Sequence, residues 1–363
     1  MHVFLRSASL LLATTIAVGC SENNNNVDAG ATPVTGFVAT NLLSDQNTIA
    51  RNVDPSLVNA WGLAMDQQSF WIAANGSGKL LVVAADGSPS KFSPAPSALD
   101  PGQPLTGIIS NTTNGFMIGT SSNRAPAQML VATESGQIFA INPTIASTPQ
   151  LVIDRGGAGA NYKGLAIYTA SDGSQRLAAA DFHNARIDVF DATFHLVANI
   201  VIVDPSLRAG LAPFNVYVAG STLYVAYAVQ DADAKDDVPG VGNGRIDAFD
   251  LDGHFLRTLV DGGLLNAPWG MAIAPDAFNT LLASSLIVGN FGDGTLLAIN
   301  PDTGATAQLL TPASTPLVID GLWGLAFGSG QVGATSSLYF TAGPGDESHG
   351  LYGSIANTIA PPI

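Results

Sequence analysis

The sequence predicts an all-β fold, a six-bladed β-propeller, and two repeated elements predict it. The first has a small apolar signature: WGLA at Trp61, TGII at Thr106, KGLA at Lys163, FNVY at Phe214, WGMA at Trp269 and WGLA at Trp323. The second begins with a small residue and then alternates: GKLLVV from Gly78, GQIFAI from Gly136, ARIDVF from Ala185, GRIDAF from Gly244, GTLLAI from Gly294 and GLYGSI from Gly350. Six copies of each occur in strict alternation. Periods near 50 residues with several strands per repeat are the signature of propeller blades, and no helix-length amphipathic stretch interrupts them.

Within a blade, the first element is the inner strand a, whose missing side chains let strands crowd around the axis. The next apolar run (Phe70 to Ala73, Leu286 to Val288, Leu338 to Phe340) is strand b, and the second element is strand c. Runs such as Leu256 to Val260 and Ala307 to Leu310 serve as the outer strand d. Phe37 to Leu43 is a d-like strand with no blade before it. It is expected to pair beside Leu351 to Ile355 and close the ring, removing exposed edges. The predicted organisation is a signal peptide over 1–19, a tether over 20–35, the propeller over 36–357 and a tail over 358–363.

Composition bounds the function. The chain has 363 residues and a formal net charge of −15, with 13 Lys plus Arg against 28 Asp plus Glu. Nucleic-acid binders need a basic footprint, so a phosphate-backbone partner is excluded on charge. Gly 39 and Pro 21 with 11% charged residues describe a turn-dense globular protein. Arg6 precedes an apolar run from Ala8 to Val18 that is too short to span a bilayer. Cys20 is the single cysteine, and AVGC resembles a bacterial lipobox, which implies lipidation of Cys20 and, with Ser21 following, an outer-membrane or cell-surface lipoprotein. Membrane contact is then through the lipid anchor only, and the chain is expected to be monomeric.

Strand direction alternates within a blade, so the d-to-a and b-to-c connections of all six blades share one face. The b-to-c connections carry Glu134, Asp181, His183, Asn290, Asp293, Asp346, Glu347, His349 and the segment DADAKDD. The d-to-a connections carry Asn59, Asn161, Lys163, Asn215, Asn266 and Asp320. Asn75 and Glu134 mean little singly, because polar turns are normal in propellers. DADAKDD supplies Asp231, Asp233, Asp236 and Asp237 within seven residues, a density that Ca²⁺ commonly relieves, although the loop is no EF-hand. A solvated acidic turn is the plain alternative. His183 and His349 with Asp181, Asp346 or Glu347 offer a transition-metal site only if loops from opposite blades fold inward. No GxSxG nucleophile motif occurs.

The strings NLLSDQ, DPSLVNAWGLA, NYKGLAI, DFHNARIDVFD, APFNV, YAVQDADAKDD, GNGRIDAFD, NAPWGMAIAP, VGNFGDG, DGLWGLAFG and FTAGPGDESHGLYG carry a resemblance over about residues 36–356. The chain resembles a family of uncharacterised exported bacterial proteins related in style to NHL-repeat propellers, some of whose members end in a PEP-CTERM sorting segment; this chain ends instead in NTIAPPI. The resemblance implies a propeller and no catalytic assignment. Two functions follow as expectations: a surface module binding a glycan, peptide or protein through the loop face, or a metal-dependent hydrolase or lyase at the axial mouth.

Overall fold

Strands can surround an axis only if their backbones approach closely, and the second position of the repeated signature permits this. In the computed structural model, which describes residues 34–94 and 99–358, a Cβ on Gly62 would lie 2.4 Å from the carbonyl oxygen of Thr106 in the next blade. One on Gly324 would lie 2.7 Å from the carbonyl oxygen of Trp61, where blade six meets blade one. Blade four has Asn215 at this position, and its amide donates across the joint to the Trp269 carbonyl at 2.7 Å. Thr106 Oγ1 likewise bridges blades two and three by donating to the Tyr162 carbonyl at 2.6 Å.

The six inner strands are Ala60–Met65, Leu105–Ser110, Tyr162–Thr169, Leu211–Ala219, Pro268–Ile273 and Leu322–Phe327. Each breaks register against its strand b at the repeated signature. Trp61 and Gly62 lie between the pairs Ala60↔Ala74 and Leu63↔Ile72, so two residues oppose Ala73 alone. Lys163 and Gly164 oppose Ala180 in the same way. Bulges bend a strand and re-aim its side chains, and here the bulge sits where the chain runs nearest the axis.

Outward from the axis each blade adds antiparallel strands b and c. A paired strand d follows in blades two (Gln150–Asp154), four (Phe255–Asp261) and five (Thr306–Gln308). In blades one and three the outer edge is reduced to the bridges Val83↔Pro89 and Phe190↔Leu196. Phe37–Ser44 supplies the outer strand of blade six, pairing with Leu351–Asn357 from Phe37↔Asn357 to Ser44↔Leu351. The ring is closed as expected, and the Phe37 amide also donates to the Leu310 carbonyl of blade five at 3.0 Å.

The core lies between blades. Trp71, Leu80 and Val82 of blade one pack on Ile108, Met129 and Val131 of blade two, and equivalent clusters join other neighbouring blades. Two short 3₁₀ turns span Gly156–Ala158 and Thr280–Leu282, and among the described residues no helix is long and apolar enough to cross a membrane. The signal segment 1–19, Cys20 and most of the tether lie outside the described residues, as does the tail beyond residue 358.

Candidate functional site at the axial mouth

The first signature position of each inner strand lies at the axis, and the residues there are Trp61, Thr106, Lys163, Phe214, Trp269 and Trp323. Five pack or bridge without charge; one is a lysine. Trp61 stacks on Trp323 with centroids 3.7 Å apart, and Trp323 stacks on Phe291 at 3.9 Å. Trp269 meets both indoles edge-on, and Phe214 links Trp323 to Phe182. Contacts between blades one and five and between blades four and six span the ring, so the aromatics plug the axis. On the far side a cavity of about 430 Å³, lined by the inner strands of all six blades, continues below the plug.

Lys163 is fully buried above this plug. Its Nζ lies 4.9 Å from the Trp61 ring centroid, 2.6 Å from Glu134 Oε1 and 3.3 Å from Asp236 Oδ1. A buried cation is costly unless paired and hydrogen-bonded, and the two carboxylates with the indole face meet that requirement. Asn75 donates to the other oxygen of Glu134 at 3.3 Å. Glu134, weak as a sequence signal, is therefore the partner that fixes the one charged inner-ring side chain.

Two further carboxylates reach the mouth from blades four and six. Burial pushes Asp237 up to about 7; Lys163 opposes that rise while Glu347 and Asp236 add to it. Burial also raises Glu347, opposed by a hydrogen bond from Asn59, with Glu134 and Asp236 adding and Lys163 opposing. The Glu347 loop carries consecutive left-handed residues, Asp346 at φ 51° and Glu347 at φ 62°. Such backbone is uncommon outside glycine and is often found where a loop is held for binding. Asp237 Oδ2 and Glu347 Oε1 have no hydrogen-bond partner, nor do Asn59 Oδ1, Asn161 Oδ1 and the indole nitrogens of Trp61, Trp269 and Trp323. These seven buried atoms belong to inner-strand tryptophans and to loop residues of blades one, three, four, five and six.

The remaining candidates serve the loops themselves. Asp181 is buried and accepts from the backbone amides of Asn161 and Asn184. Asn290 is buried and holds the Asn266 amide and the Leu264 carbonyl. Asp293 accepts from Thr295 and from the Asn266 side chain, and Asp320 accepts from the Gly345 amide. His183 sits 3.3 Å from the Ala234 carbonyl, whereas His349 pairs with Asp45 at 2.9 Å. The two histidines thus have separate partners on opposite sides of the ring. The acidic loop does not gather its carboxylates either. Asp231 accepts from the amides of Lys235 and Asp236, Asp233 is exposed, Asp236 turns to Lys163, and Asp237 turns to the axis. Among the described residues no three His, Cys, Asp or Glu side chains converge as a metal site. The expected four-aspartate calcium set and the expected His183/His349 transition-metal set are both dispersed by this geometry.

No protein-family model matches the chain. It is similar to Uncharacterized protein L690 of Acanthamoeba polyphaga mimivirus, 31% identical over 326 residues that cover 86% of this chain and 84% of that protein. It is also similar to Uncharacterized protein R648 of the same virus, 30% identical over 341 residues, 89% of this chain and 80% of that one. Among solved structures, one from Bacteroides thetaiotaomicron described as a protein of unknown function superposes with a TM-score of 0.55 at 10% identity, over 90% of this chain and 75% of that one. The calcium-binding protein regucalcin from Agrobacterium tumefaciens superposes at 0.51 and 13% identity, over 92% and 99%. At such identities the structural likeness shows the propeller fold alone. The sequence relatives are viral, so they do not support the bacterial origin or export that the resemblance implied.

Proposed function

The chain belongs to the family of the mimivirus proteins L690 and R648, and from that premise we propose that it is a ligand-binding propeller whose site is the axial mouth of the d-to-a and b-to-c loop face. One observation carries this reading: seven buried polar atoms without partners belong to the plug tryptophans and to loop residues of that face. A buried donor or acceptor left unpaired costs about 1–3 kcal/mol, and native proteins keep few of them, generally for a reason. A molecule that offers donors to Asn59, Asn161, Asp237 and Glu347 and acceptors to the indoles would recover that cost. Asp237, with its pKa near neutrality, favours a second reading in which the bound molecule is also a substrate for proton transfer. Calcium enters only as a competitor in the assay, since regucalcin is the calcium-binding protein and the carboxylates here are dispersed.

Three of the four tryptophans stand in the plug, the fourth being Trp71 in blade one. Intrinsic emission therefore reports on the mouth. In a panel of hexoses, polyols, amines, amino acids and short peptides, at least one compound should shift emission saturably, and Asn59→Ala should weaken it about tenfold, about 1.4 kcal/mol. A panel that leaves emission unmoved at millimolar concentrations would count against the mouth as a site.

Export is part of the same proposal. AVGC supports acylation of Cys20 after signal cleavage, which would tether the propeller to a membrane. Cys20→Ala should then move the protein from the membrane to the soluble fraction. Wild-type protein already soluble after cell lysis would remove the anchor from the picture.

A further inference from the structure

The charges at the mouth do not balance, and the imbalance names a ligand class. Four carboxylates, Glu134, Asp236, Asp237 and Glu347, surround one basic side chain, Lys163. Its ammonium is committed to Glu134 and Asp236. Among the described residues neither Asp237 nor Glu347 forms an ion pair, and each keeps a buried oxygen with no donor. Beside Glu347 stands Asn59, 5% exposed, whose amide donates to Asn75 Oδ1 at 3.4 Å while its own oxygen has no partner.

Resting on the axial-mouth reading, we infer that the ligand bears a primary ammonium group held by Asp237 Oδ2, Glu347 Oε1 and Asn59 Oδ1. An ammonium has three N–H donors and no acceptor, and Asp237, Glu347 and Asn59 each keep one acceptor that no donor occupies. The chain already binds one ammonium in this manner, since Lys163 sits between two carboxylates above an indole face. A neutral sugar would hydrogen-bond these oxygens yet leave the carboxylates uncompensated. Ca²⁺ takes six to eight oxygens, and among the described residues no three His, Cys, Asp or Glu side chains are placed to hold an ion. The net charge of −15 also draws cations toward the molecule.

The test is calorimetric titration of the full chain with cadaverine, tetramethylammonium, sorbitol and CaCl₂ at constant ionic strength. Cadaverine should bind saturably, and Asp237→Asn and Glu347→Gln should each weaken it at least tenfold while melting cooperatively. Tetramethylammonium, which has charge but no N–H donor, should bind at least tenfold more weakly than cadaverine. Equal binding of the two cations, or cadaverine binding untouched by both variants, would overturn the inference. Saturable binding of sorbitol or Ca²⁺ in place of cadaverine overturns the ammonium ligand while leaving the mouth as a site. Heat from none of the four overturns the ammonium, and the wider emission panel then decides the site separately.

Discussion

A chain that begins at Asp45 instead of at Val34 is expected to lose at least about 5 kcal/mol of stability, and to associate through the edge it exposes. The missing segment is a full outer strand. Phe37 and Leu43 are almost completely buried, and Phe37 stacks on Phe278 of blade five with centroids 5.2 Å apart. Burying a side chain of this kind contributes about 1.5–3 kcal/mol, and the strand buries Phe37, Leu42 and Leu43 together. Its loss would also leave Leu351–Asn357 with unpaired backbone groups along one side. Phe37→Ala, which keeps the strand but empties its largest site, should cost about 3–5 kcal/mol. Urea midpoints of the three chains measure this, with light scattering for association. A truncated chain as stable and as monodisperse as the full one would show that the closing strand adds no stability to the ring.

That strand was legible because it reads as an outer strand without a blade, and because the six signatures give the blade count. The axial site was legible only in part. Lys163 stands out once the signatures are aligned, as the single charged member among Trp61, Thr106, Phe214, Trp269 and Trp323. Its partner Glu134 does not, because a Glu-Ser turn before a strand is ordinary and the pairing joins residues 29 apart in different blades. The aromatic plug is not legible for another reason: small residues dominate WGLA, and nothing in the string shows that a bulge at each signature turns its Trp inward. Acidic density in DADAKDD suggested calcium, but sequence cannot show that Asp231 is spent on its own loop's amides and Asp236 on a lysine. The alternation in RIDVF and RIDAF carries a readable pairing. Side chains two apart share a strand face, and Arg186 and Arg245 bond Asp188 and Asp247 at 2.8 and 2.9 Å.

Lys163→Met should destabilise the propeller by about 1–3 kcal/mol, although methionine fills a similar volume and suits an indole neighbour. Removing the buried cation leaves Glu134, whose side chain is 28% exposed, without its partner, while Asp236, 71% exposed, is compensated by water. The double variant Lys163→Met with Glu134→Gln should recover part of the loss, because it removes the stranded charge along with its partner. The pH dependence separates this account from simple misfit. Asp237 already lies near 7 against its ordinary 3.8, with Lys163 the cation opposing the rise, so loss of Lys163 moves it higher. A carboxyl whose pKa is raised on folding gives the native chain a proton that the unfolded chain has released. Stability is therefore greatest below the unfolded value and falls as pH rises through the window from about 4 to about 7. In Lys163→Met that fall should continue further above pH 7. Melts at pH 5 and pH 8 measure it: the variant should sit closer to wild type at pH 5 and further below it at pH 8. Equal deficits at both values would mean that packing around Trp61, and not charge, is what Lys163 provides.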